Sequence, residues 1–167
     1  MLIPEFQLTL NEVAEVAEEV LNRWLTLPSN PYPERRGGYL SATDYINNIH
    51  GPVMVGIVNC DEMVQWQQSS HEQTKRLRER NWENSSWESR LPEENKGGGA
   101  ACVYYCADAY QRWIIFSFHG LHNELADEAL MLATAVRLGI MDEKNARYIA
   151  SISSNPLFEE MNLPMED

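Results

Sequence analysis

No apolar run in this chain approaches the roughly 18 residues that a membrane-spanning helix needs, so none is predicted. The opening stretch MLIPEFQLTLNE has neither a basic start nor a long apolar segment, and does not read as a secretion signal. Cysteine is scarce, with three residues, Cys60, Cys102 and Cys106. An odd number without a secretion signal points to free thiols in a reducing, cytoplasmic setting. The chain contains no C-x-x-C, no H-E-x-x-H and no G-K-[ST]. Zinc ribbons, metalloprotease helices and the usual phosphate loops are therefore not expected, and no cofactor is implied.

Basic residues are also the minority, 13 Lys and Arg against 25 Asp and Glu, for a net charge of −12. Nucleic acid is held by neutralising its phosphates, so it is not an expected partner. The charge suits a soluble protein or one that meets a basic partner, as an acidic inhibitor would. A hydrophobic fraction of 44% with 23% charged residues is that of a globular chain, and 167 residues suit one domain with a real core.

Thr9 and Glu12 have the T-x-x-E spacing of a capping box, and Val13, Val16, Ala17, Val20 and Trp24 follow at helical spacing until Pro28. LPSNPYPERRGG, 27–38, reads as loop. Ser41 and Asp44 repeat the capping spacing, which predicts a short helix to Ile49 ended by Gly51-Pro52. VMVGIVN, 53–59, reads as a buried strand, and 61–82 as a polar helix with a patchy apolar stripe of Met63, Trp66 and Leu77. NSSWESRLPEENKGGG, 84–99, has the composition of an exposed, flexible loop.

AACVYYC and RWIIFSF form a hairpin whose turn starts at Asp108. Leu125, Ala129, Leu132, Ala133 and Val136 mark a helix over 122–138 that Gly139 ends. Asp142 caps another, with Ala146, Ile149 and Ile152 inward and Asn155-Pro156 as its stop. The predicted class is α+β in a single domain, 1–167. It has a small, mostly antiparallel sheet (a central apolar strand plus a hairpin) packed with about five helices.

If the hairpin loop is 108–111, Ala101, Val103 and Tyr105 share the core face with Ile114, Phe116 and Phe118. The other face then carries Cys102 opposite Ser117, with His119 on the diagonal, about 7–8 Å away between backbones. That arrangement supports a nucleophile–base pair of Cys102 and His119, oriented by Asp127 or Glu128. Against it, mid-strand is a poor place to stabilise a thiolate, and buried cysteine usually serves as a small hydrophobe. His119 and His122, with Glu124, Asp127 or Glu128, are the candidate metal ligands, but their spacing matches no ligand pattern with a known mechanism. The simpler reading of HGLHNE is a joint: Gly120 turns the chain, Asn123 or His122 caps the helix, and the carboxylates complement its dipole. His50 reads as a helix-end histidine and His71 as solvated.

Lys75, Arg76, Arg78 and Arg80 form the dense basic patch, interleaved with Glu72, Glu79, Glu83 and Glu88 in possible i,i+4 pairs. Trp82 and Trp87 follow in polar sequence where a core would not ask for them, and exposed tryptophan marks binding hot spots. Two readings follow. One is a non-enzymatic, acidic interaction protein, using Trp82, Trp87, Arg76 and Arg80 against an unknown protein partner or a second copy in a homo-oligomer such as a homodimer. The alternative is a small enzyme or ligand- or metal-binding domain built on the Cys102, Ser117, His119 and His122 surface. The interaction reading needs only visible composition, whereas the enzymatic one needs an inferred register, so the balance leans away from an enzyme.

Overall fold

The computed structural model describes residues 2–4, 7–44, 46, 48–58, 61–80, 84–94, 96–98, 100–107 and 110–163, with 92, 100–107 and 110–112 described by backbone alone. Cys60, Trp82, Glu83, Gly99 and Asp108 lie outside them. The elements are α1 (Leu10–Leu25), β1 (Gly37–Thr43), β2 (Ile49–Gly56), α2 (Met63–Arg78), β3 (Ala100–Ala107), β4 (Tyr110–His119), α3 (Glu124–Arg137), α4 (Glu143–Ile152) and α5 (Leu157–Met161). Four antiparallel strands lie in the order β2-β1-β4-β3. The class is α+β, as the order of elements implied.

The capping box of α1 forms as read: the Glu12 amide donates to Thr9 Oγ1 at 3.3 Å, and the Thr9 amide donates to Glu12 Oε2 at 2.6 Å. The same spacing at Ser41 and Asp44 misleads. Asp44 closes a strand turn instead, accepting from the amides of Ile46 (3.1 Å) and Asn48 (2.9 Å) and pairing with His50 Nε2 at 2.9 Å. A short carboxylate satisfies turn amides as readily as helix amides. The predicted helix over 41–49 is therefore replaced by the β1–β2 hairpin, and His50 is a strand residue. Five helices remain because α5 stands in for the lost one.

Gly51-Pro52 does not break the chain but lies inside β2, joined by a cis peptide bond. A proline is tolerated there because β2 is an edge strand. The register of β1 against β2 shifts between Leu40 and Ala42.

One face of the sheet carries Leu40, Ala42, Val55, Ile114, Phe116 and Phe118, buried with α1 and α3 in the main core. The other lies under α2. There the contact is largely polar: Ser70 Oγ donates to Ser41 Oγ at 2.9 Å, and Ser117 Oγ lies 2.8 Å from both the Ser70 carbonyl and Gln73 Oε1. Ser70, Gln73 and Thr74 are buried, which explains the patchy apolar stripe of α2.

β3 and β4 are joined by two residues, 108–109, not by four, so Cys102 faces Ile115 and Ala100 faces Ser117. A shift of two residues preserves which side chains share a face, and changes only who stands opposite whom. The segment 84–98 is not a bare exposed loop. It takes two single 3-10 turns, Ser86–Ser89 and Pro92–Glu94, and Ser85, Ser86 and Ser89 are buried.

Candidate functional site

β4 ends at His119, where Gly120 passes so close to the start of β1 that a Cβ on it would meet the Gly37 carbonyl oxygen at 2.5 Å. Asn123, not His122, caps α3, its side chain accepting from the Ala126 amide at 2.9 Å. Asp127 then turns back under the joint and accepts from the Leu121 amide at 3.0 Å. Most of the HGLHNE motif is accounted for by this construction.

The two histidines diverge. His122 stacks on Trp24 (ring centroids 5.5 Å apart) and on Tyr32 (4.7 Å). His119 meets Trp66 edge-on at 6.0 Å, and its Nδ1 stands 3.9 Å from Asp127 Oδ2, too far for a hydrogen bond. Burial, and then the charge of Arg35, holds both imidazoles below their ordinary range. Burial likewise pushes Asp127 well above the usual carboxylate range. Burial therefore disfavours the charged form of both His119 and Asp127. Among the described residues, no three His, Cys, Asp or Glu side chains converge as metal ligands would.

Cys102 does not share a site with His119. Its partner is Ile115, and His119 lies four residues farther along β4, about 13 Å away. Ser117, opposite Ala100, is wholly buried beneath α2. The predicted Cys102, Ser117, His119 and His122 surface is therefore not one surface. Glu128 is also turned elsewhere: it is fully buried and accepts from Ser85, from Ser153 Oγ (2.6 Å) and from Asn155 Nδ2 (3.1 Å). Burial raises its pKa.

The basic patch also comes apart. Arg76 is 8% exposed, pairs with Glu72 at 2.9 and 3.1 Å, and donates to the Gly97 carbonyl. It clamps the segment 84–98 to α2 and is not offered to a partner. Arg80 is exposed. Trp87 is half-buried with the Arg90 guanidinium 3.5 Å over its ring, and Arg90 pairs with Glu124 at 3.2 Å.

Two other features emerge. One is a cleft of about 450 Å³ lined by Glu34, Arg35, Arg36, Gly37, Ile57, Val58, Glu62 and Trp66. Arg35 lies 5.1 Å over the Trp66 ring, while the Trp66 indole N–H donates to Glu62 Oε2 at 3.2 Å. The only sequence hint was an arginine pair ahead of Gly37-Gly38 in a proline-rich loop; nothing local tied it to α2. The other is the outer edge of β2. Ile49, Met54 and Ile57 are 39%, 50% and 57% exposed there, and Ile49 to Val58 carries no Asp, Glu, Lys or Arg.

Compared with family models, with characterised proteins and with solved structures, the chain matches none. Among the described residues, no helix is long and apolar enough to cross a membrane.

Proposed function

We propose that this protein acts by binding rather than by catalysis, and that its docking element is the β2 edge, paired with the β2 edge of a second copy. One observation carries the reading: an uncharged, apolar edge strand stays exposed on a chain of net charge −12. Exposed edges invite strand addition, and proteins that avoid it usually place a charge there. The Ile57 amide donates inward to the Arg36 carbonyl at 3.0 Å, so strand alternation turns the amides of Met54 and Gly56 outward. Pairing about Val55 would set Met54 of one copy against Gly56 of the other, with no like charges in contact. Pro52 lacks an amide hydrogen and limits the docking strand to 53–58.

A second copy is favoured over a basic partner because the edge has no charge with which to select one. The two occupants differ in their response to salt. Self-pairing of two acidic copies strengthens as salt screens their repulsion, whereas a basic partner is bound less tightly. Sedimentation equilibrium over a concentration series should show a dimer that tightens with salt. Met54→Lys should weaken it by about tenfold or more, roughly 1.4 kcal/mol. A chain that stays monomeric at high concentration and high salt would overturn the reading.

A further inference from the structure

We propose that the cleft beside α2 binds a small zwitterion, an amino acid or a close relative with an apolar side chain. Arg76, Arg90 and Arg147 each pair with a carboxylate. Arg35 is half-buried, yet among the described residues it has no ion pair and no side-chain hydrogen bond; its guanidinium only lies over Trp66. A planar fork of donors held against an aromatic face suits a ligand carboxylate.

Trp66 fixes the opposite charge as well. Its ring face holds Arg35 while its indole N–H holds Oε2 of Glu62, leaving Oε1 of Glu62 without a partner among the described residues. One side chain therefore keeps a cation and an anion on the same cleft, and no ion pair forms between them. That separation complements a molecule carrying both an ammonium and a carboxylate. Ile57 and Val58 supply the apolar wall for its side chain, and about 450 Å³ is the scale of a small-ligand site.

Competing ligand classes fit less well. A phosphate dianion would meet two carboxylates, Glu34 and Glu62, on the same walls. A metal ion would meet Arg35 and Arg36. Arg36 is a second cation on the walls, but Glu34 and Glu62 match the two arginines in number, so the cleft offers a polyanion no excess of positive charge.

Calorimetric titration of the whole protein tests this with four probes: L-leucine, 4-methylpentanoate (no amine), isopentylamine (no carboxylate) and inorganic phosphate. Leucine should bind at least about tenfold tighter than either single-charge analogue, and phosphate more weakly still. Arg35→Gln should abolish binding of leucine and of the carboxylate analogue. Glu34→Gln and Glu62→Gln together should erase the preference for leucine while the carboxylate analogue binds at least as tightly as before. An unchanged melting temperature shows that each variant is folded. The proposal is overturned if phosphate binds tighter than leucine, if Arg35→Gln leaves leucine binding intact, or if no probe binds up to about 10 mM. Ile57 and Val58 belong to both the docking strand and the cleft wall, but Met54 does not line the cleft. Leucine titration of Met54→Lys therefore reads the cleft in a chain whose self-association is weakened, and tells failure of one idea from failure of the other.

Discussion

Asp127 and His122 lie on either side of the same joint and respond to pH with opposite signs. The folded pKa of Asp127 is raised by burial, so its stabilising contribution is full below its unfolded value of 3.8 and is lost as pH rises through the folded value. Asp127→Asn keeps an oxygen for the Leu121 amide and cannot ionise. Its stability relative to the natural protein should therefore climb as pH rises above about 3.8. Urea unfolding at a series of pH values measures this, and a difference that stays constant with pH would refute it. The folded pKa of His122 is lowered, so its contribution is present above 6.5 and is lost as pH falls. His122→Phe keeps the stack with Trp24 and Tyr32 and should flatten the pH dependence below 6.5. An unchanged slope would count against burial as the cause.

Elements were legible wherever local chemistry had one solution. Thr9 with Glu12, Asn123, and Asp142 with Asn145 all start helices because each cap precedes a strongly periodic apolar run. β1 was not legible because its alternation is disguised. Leu40 and Ala42 face the main core while Ser41 and Thr43 face α2, so all four are buried, and small polar residues on the second face look like solvent-facing ones. The Ser41–Ser70 pair makes this testable. Ser70→Ala leaves a buried hydroxyl without its partner and should cost about 1–3 kcal/mol, whereas Ser41→Ala with Ser70→Ala should recover most of that loss. Chemical denaturation of the two single variants and the double decides it. Additive losses would mean the hydroxyls act independently.

At the scale of the whole molecule, α3 is the hub. Its residues from Ala126 to Ala135 are buried, which permits Asp127 to brace the β4 joint while Glu124 and Glu128 hold the segment 84–98. Glu128→Ala would leave the Ser85 hydroxyl without its buried acceptor and strip Ser153 and Asn155 of one acceptor each, leaving them the Ala150 and Leu125 carbonyls, and should cost about 1–3 kcal/mol. Proteolysis should then cut first within 84–98; cleavage elsewhere first would argue that Arg76 and Glu124 suffice to hold that segment. The fold class could be read from the chain because it follows from the order of elements. The cleft could not, because Arg35 lies in the loop before β1 while Glu62 and Trp66 lie together at the start of α2, and only the β1–β2 hairpin between them brings the two segments together.

That hairpin also sets the protein's slowest clock. β1 is bonded on both edges, to β2 and β4, and lies buried beneath helices on both faces. No partial opening of one layer frees its amides. Deuterium should enter at Leu40 and Ala42 only when the entire molecule unfolds, so their exchange rates report global stability directly. The amides at the outer edge of β2 have no such shelter. Their exchange should be fast in isolated monomers and slow once that edge is paired.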